Sequence, residues 1–282
     1  MKRNATPVPS HRFSNRHIVG LRLYQIFRGA LFDPLVAAHR AAELPSFAAN
    51  LLRYVRAHAD SGGERSGFGF RWRYLYPALG DRHAGAGKAS GHYFHQDIWA
   101  ARDIYRRNPD RHVDVGSSVA GFVAHLLCFR EVEYVDLREL RTNVSGLNFR
   151  RGDLTSLPYP DASIESLSAL HVVEHIGLGR YGDPVDPNGW RKAVAELQRV
   201  LKPGGVLYFS MPIGPERLEF DAHRVFSPST ITEAFDLLEL SSFSVVDDRG
   251  DLVEHSGPRD VRGWYSCGLF RFTKPRAVST RP

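Results

Sequence analysis

Residues 113–137 read VDVGSSVAGFVAHLLCFREVEYVDL, and this stretch decides the fold. Val113–Val115 is a short apolar run stopped by Gly116. Val119–Phe129 places Phe122 and Leu126 four apart, on one face of a helix. Glu133–Leu137 is a second apolar run, closing on an acid at Asp136. Strand, glycine turn, helix and strand in so few residues make a βαβ unit, hence a parallel sheet with covering helices.

The pattern continues in both directions. Downstream, strands are predicted at Leu147–Asp153, Ile164–Val173, Val206–Met211, Phe243–Val246 and Gly268–Thr273. Trp190, Val194, Leu197 and Leu201 recur at i, i+4, i+7 and i+11, a helical stripe that Pro203-Gly204-Gly205 ends. Ser227-Pro228 opens a further helix carrying Ile231, Phe235 and Leu238. Upstream, a helix is predicted over Gln96–Arg107. Asp33-Pro34 caps another over Leu35–Leu44 that stops before Pro45. Ser46 caps one bearing Phe47, Leu51, Leu52 and Val55, ending near Ser61-Gly62-Gly63. Residues 61–91 read as loop and residues 1–17 as a tail. The expected organisation is a tail and helical cap over 1–107, an α/β domain over 108–275 and a tail over 276–282.

The chain has 282 residues, 43% apolar and 24% charged, with 25 Gly and 17 Pro in no repeat. That composition excludes disordered, collagen-like and membrane classes. Two cysteines exclude a disulfide scaffold and any four-cysteine zinc module; Cys128 and Cys267 are expected as buried apolar residues. The segment Leu21–Leu35 is broken by Arg22, Arg28 and Asp33, so no membrane span is expected, and residues 1–13 show no apolar run, so no secretory signal is expected. Cytoplasm is the expected compartment. The net charge is +6 and uneven: residues 1–110 carry 17 Lys and Arg against 8 Asp and Glu. Such a basic third either faces an anionic partner or is a solvated face.

In open α/β sheets ligands bind beyond the carboxyl ends of the strands, and the chemistry-bearing residues stand there. Gly116 permits a tight turn and close approach of a ligand, and the helix behind it offers free N–H groups to an anion. Asp136, twenty residues after the turn, suits both hydroxyls of a ribose. Asp153, in Gly152-Asp153-Leu154, suits the exocyclic amine of an adenine. Together they describe a nucleoside pocket. A dinucleotide would need glycine where Ser118 stands.

The segments LPYPDASIESLSALHVVEHIG (157–177), ELQRVLKPGGVLYFSMP (196–212) and AHRVFSPSTITEAF (222–235) resemble the class I S-adenosylmethionine-dependent methyltransferases. Within these, the chain most resembles uncharacterised methyltransferase-like proteins found among bacterial surface-glycan genes. The resemblance covers residues 112–247 and implies a Rossmann-like sheet. It also implies that Asp114, Gly116 and Ser117 hold the methionine end of the cofactor. Asp136 would hold the ribose, and Asp153 and Leu154 would flank the adenine. Gly121 and Leu137 complete the expected cofactor-binding set. Ser118 and Ala120 replace glycines of the family loop. The implied activity is O-methylation of a sugar, glycan or related small molecule. Alternatives are an RNA methyltransferase using the basic third and a non-catalytic binding protein.

His171, Glu174 and His175 follow the predicted fourth strand, where the acceptor would lie. A histidine there is a candidate base for a hydroxyl, with Glu174 orienting it. The string also matches the H-x-x-E-H zinc peptidase motif, but that motif needs a helix and the preceding residues read as a strand. Similarity to methyltransferases with Glu-x-x-Glu-His plus a distant histidine implies a divalent-metal set of His171, Glu174, His175 and His223. The remaining reading is that these side chains only pack and cap. Tyr93, His95 and Gln96 are expected to wall the acceptor pocket; His92 and His95 have the spacing of half a metal site.

Overall fold

The computed structural model describes residues 33–60, 71–82 and 84–276; the expected tails at 1–17 and 277–282, and the Leu21–Leu35 segment up to residue 32, lie outside them. The chain divides into two compact units, at Gly87 and Lys88.

In the first unit α1 spans Pro34–Asp60. Asp33 caps it, its Oδ1 accepting from Leu35 N at 3.0 Å and Val36 N at 3.3 Å. The two helices expected here are one, running through Pro45. Proline removes one ladder hydrogen bond and strains the preceding turn, and here that local cost does not end the helix. Leu52, expected on the covered face, is exposed, whereas Phe47, Leu51 and Val55 are half-buried.

The second unit carries the sheet, and it begins with α2 (His92–Arg107), which Ala100 and Ile104 anchor in the sheet's core. The strands are β1 (His112–Val115), β2 (Val132–Asp136), β3 (Leu147–Arg151), β4 (Ile164–Leu170) and β5 (Leu201–Ile213), then a hairpin of β6 (Arg217–Glu219) and β7 (His223–Val225). The last three are β8 (Glu239–Val246), β9 (Leu252–Val253) and β10 (Ser266–Thr273). A π-helical turn over Val119–Val123 leads into the four-residue α3 (Ala124–Leu127). The remaining helices are α4 (Gly189–Val200) and α5 (Pro228–Ala234). The sheet order is β3-β2-β1-β4-β5-β10-β8-β9. β3 to β5 are parallel, and β10 is antiparallel to both β5 and β8. This is a Rossmann-like sheet, as the resemblance implies.

Both faces are covered, so β5 is buried without interruption over Val206–Ile213, and all but Ser210 there are apolar. Leu207, Phe209 and Met211 face the core built with α4 and α5, and Val206 and Tyr208 face the one built with α2 and α3. Pro203-Gly204-Gly205 ends α4 as expected but stays in β5 as a bulge. A Cβ on Gly205 would lie 2.8 Å from the Lys202 carbonyl oxygen. Cys128, at the C-cap of α3, is exposed, contrary to expectation, its Sγ turned back to the Ala124 carbonyl; Cys267, in β10, is buried. Phe270 is fully buried, its ring 4.8 Å from Phe243 and 5.7 Å from Phe272. We expect Phe270→Ala to lower the unfolding free energy by about 3–5 kcal/mol in chemical denaturation. A loss below about 1 kcal/mol would mean that β10 is not part of the core.

Candidate functional site

The turn after β1 is built around two serines. Asp114 is fully buried; its Oδ1 accepts from Ser117 N at 3.0 Å and its Oδ2 from Ser117 Oγ at 2.7 Å and from Ser168 Oγ. Ser117 Oγ also accepts from Leu170 N at 3.0 Å, so it fastens the turn to β4. Burial pushes the Asp114 carboxyl up to about 6, against these hydrogen bonds. Gly116 has φ +72°, and a Cβ there would stand 3.0 Å from Val172 Cγ1. Ser118, at a family glycine position, accepts from Gly121 N at 3.2 Å and caps the helical turn. Gly121 stays clear of the cleft; a Cβ on it would overlap the Asp97 carboxylate. Asp97 lies in α2 and was not singled out by the sequence. Burial raises its carboxyl to about 6, opposed by a hydrogen bond from Gln96.

Gly116, Asp136, Leu137, Asp153 and Leu154 line one cleft at the carboxyl ends of β1, β2 and β3, where Arg138 and Tyr181 also sit. Asp114 and Ser117 lie beneath it. All four acceptor positions of Asp136 are used. Oδ1 accepts from Arg138 N and Nε at 2.8 and 3.0 Å, and Oδ2 from Arg138 Nη2 and Tyr134 OH at 2.8 and 3.0 Å. Burial would raise the Asp136 carboxyl, but Arg138 holds it below the usual range. The Arg138 guanidinium stacks 4.6 Å from the Tyr181 ring. The free cleft is about 100 Å³, against roughly 300–1,000 Å³ for ordinary ligand sites. Arg138 and Tyr181 must therefore give way for a nucleoside to enter.

Beyond β4 lies a pocket of about 570 Å³ walled by His92, Tyr93, His171, His175, His223 and Tyr265. His171 and His175 line both this pocket and the cleft. A larger cavity of about 1,140 Å³ lies beside α5, lined by Gly214 and Pro215 after β5, Ser227, Glu233 and residues 257–263; it shares no residue with the cleft or the aromatic pocket.

His171 has φ +54°, a conformation found chiefly where tertiary contacts enforce it. Its N–H donates to the Ser210 carbonyl at 3.0 Å and its Nδ1 lies 2.7 Å from Glu174 Oε1. Burial opposes the charged ring, but Cys267 and Glu174 outweigh it and raise the imidazole well above its ordinary pKa. Glu174 is fully buried; despite burial, His171 and His175 hold its carboxyl down. His175 differs. Its Nδ1 donates to the Ala222 carbonyl at 2.7 Å, which leaves the Nε2 lone pair free. Burial lowers its pKa. His223, lowered by burial too, has Nε2 3.4 Å from Glu219 Oε2.

Tyr93 lies in the pocket, its ring 5.0 Å from that of His171. His95 packs edge-on against Phe94 and Gln96 is fully buried, accepting from Ser210 Oγ at 2.6 Å; neither lines the pocket. The expected metal set of His171, Glu174, His175 and His223 does not converge. His175 Nδ1 is committed to a carbonyl and His223 sits beside Glu219. Among the described residues the convergent group is His92, His171 and Cys267.

A family model described as "Caenorhabditis protein of unknown function, DUF268" matches residues 159–250. Over 176 residues the chain is 26% identical to a probable S-adenosylmethionine-dependent methyltransferase of Mycolicibacterium smegmatis, covering 59% of this chain and 62% of that one. Over 100 residues it is 33% identical to the 27-O-demethylrifamycin SV methyltransferase of Amycolatopsis mediterranei, covering 34% and 33%. Its curated relatives are methyltransferases. The chain spans less than two thirds of the length of those relatives. A solved structure, the 1,6-didemethyltoxoflavin-N1-methyltransferase of Burkholderia thailandensis with bound S-adenosylhomocysteine, aligns with a TM-score of 0.47 at 16% identity. That alignment covers 64% of this chain and 78% of the other. Among the described residues, no helix is long and apolar enough to cross a membrane.

Proposed function

We propose that this chain is an S-adenosylmethionine-dependent O-methyltransferase acting on a hydroxyl of a sugar or glycan. One observation carries the reading: His171 and His175 stand on the wall shared by the nucleoside cleft and the polar aromatic pocket. A donor in one and an acceptor in the other would meet there. The named methyltransferases among its relatives support the donor; the glycan preference rests on the resemblance. The same reading keeps residues 108–275 as the methyltransferase domain and adds α2 to it.

Gly116, Asp136, Leu137, Asp153 and Leu154 would hold the nucleoside, Asp136 exchanging Arg138 for ribose hydroxyls. Asp97 and Asp114, both beneath the turn, would attract the cationic methionine end. Bound there, S-adenosylmethionine supplies an electrophilic methyl group. Tyr93 and Tyr265 offer flat faces to a polyhydroxylated ring. His175 Nε2 takes the hydroxyl proton, and its Nδ1–H stays on the Ala222 carbonyl. His171 sits opposite, its Nδ1 held by Glu174.

The pH dependence follows from the two acids. Their carboxyls titrate at about 6, and only the ionised forms attract a cation. Cofactor affinity should be flat above that pH and weaken below it, by up to about tenfold per pH unit for each group. Calorimetric titrations from pH 5 to 8 check this; affinity that rises on acidification removes both acids from the site.

Transfer of labelled methyl from S-adenosylmethionine to a panel of glycosides tests the function. Label in an alkali-stable ether on a glycoside supports it. Label in RNA, with an affinity that falls steeply with salt, would replace the glycan by a nucleic acid. No transfer to any acceptor despite bound cofactor would leave a binding protein.

A further inference from the structure

Of the residues that converge most closely, only His171 is used above. His92 opens α2, His171 ends β4, and Cys267 is the second residue of β10. The sheet brings them together. His171 N–H bonds to Ser210 on β5, and Cys267 pairs with Pro212, two residues further along that strand. His92 stacks on His171, with ring centroids 5.3 Å apart. One imidazole nitrogen of each histidine and the Cys267 sulfur all lie within 4.8 Å of one another.

A second observation concerns the donor atoms themselves. The His171 side chain is 5% exposed, and its Nε2 is buried with no hydrogen-bond partner. Buried polar atoms are rarely left so. Its other nitrogen, Nδ1, is held by the buried Glu174 carboxylate at 2.7 Å. A carboxylate behind a histidine, fixing the ring and leaving Nε2 to point at an ion, is the usual outer arrangement of a metal ligand.

We infer that His92, His171 and Cys267 form a binding site for a zinc-class divalent cation, with Glu174 as the carboxylate behind His171. Two imidazoles and a thiolate favour zinc over magnesium or calcium. Ligand atoms on a tetrahedral ion stand roughly 3.3–3.6 Å apart, from bond lengths of about 2.0–2.3 Å, so binding draws the three side chains inward by about 1 Å. His92 and His171 wall the aromatic pocket while Cys267 lies behind it. The fourth position therefore faces the pocket, the pattern of a site open to a ligand. Use of that position by an acceptor hydroxyl, which the ion would acidify, rests on the methyl-transfer reading; the site itself does not.

The test is a titration of the chelator-stripped, reduced full-length chain with cobalt(II), a spectroscopic stand-in for zinc. One equivalent should bind, with visible bands of a four-coordinate ion and a near-ultraviolet sulfur-to-cobalt band. Cys267→Ser should abolish the near-ultraviolet band, and Cys128→Ser should keep it. Glu174→Gln should weaken binding about 10–100-fold, and His92→Ala at least tenfold. His125→Ala, at an exposed residue of α3 outside this cluster, should leave binding unchanged. If Cys267→Ser does not fold, the half-buried His92→Ala decides. Failure of the native chain to bind excess cobalt, or a sulfur band lost with Cys128 rather than Cys267, overturns the site. S-adenosylhomocysteine affinity is measured on the same samples. Cofactor binding without cobalt rejects only the metal, and cobalt binding without cofactor rejects only the methyltransferase.

Discussion

Asp136→Ala should weaken S-adenosylhomocysteine binding at least 100-fold. Two ribose hydroxyls donating to one carboxylate are each worth about 1.5–3 kcal/mol, and every tenfold costs about 1.4 kcal/mol. Part of the gain is offset in the native protein, because Asp136 must first release Arg138. Arg138→Ala should therefore bind as tightly as the native chain or more so. The pair of variants separates two accounts of the cleft. If Arg138 is a ligand-side contact, its loss weakens binding. If it is a stand-in for the ribose, its loss does not. Equal affinity of Asp136→Ala and native protein would remove the ribose role.

His175→Gln should cut kcat about 10²–10⁴-fold, the usual contribution of a positioned base, with cofactor affinity changed less than about threefold. The two histidines of the shared wall differ. His171 is held through Nδ1 by the buried Glu174 carboxylate and its Nε2 is buried, so it is poorly placed to take the acceptor's proton. His175 is neutral because burial lowers its pKa. The sign of the pH effect follows: kcat should hold across neutral pH and fall only below the ordinary histidine range, as the depressed group takes up its proton. That acid limb should be absent in the variant. An unchanged kcat with the limb retained would move the base elsewhere in the pocket.

Much of the cleft at the strand ends was legible because its parts are local. Gly116, Asp136 and Asp153 each end a short apolar run, and runs of that kind become parallel strands whose carboxyl ends meet. The second half of the sheet was less legible. Strand β10 slips between β5 and β8 and reverses direction, and nothing local in Ser266–Thr273 says so. That insertion also explains why the sequence did not join His92, Tyr265 and Cys267 to His171. His92, Tyr265 and Cys267 come to His171 from opposite ends of the unit, and only the strand order joins them. Gln96 and His95 show the converse: helix phase put Gln96 against β5 and His95 beside Phe94, leaving Tyr93 and His92 in the pocket. Pro45 shows how far a local breaker can be overruled.

The most direct measurement is calorimetric titration of S-adenosylhomocysteine into the purified chain at pH 7.5. One site with micromolar affinity, lost in Asp136→Ala, is the predicted result. No heat at millimolar ligand, from folded protein and with the acceptor panel present, would contradict the methyltransferase account.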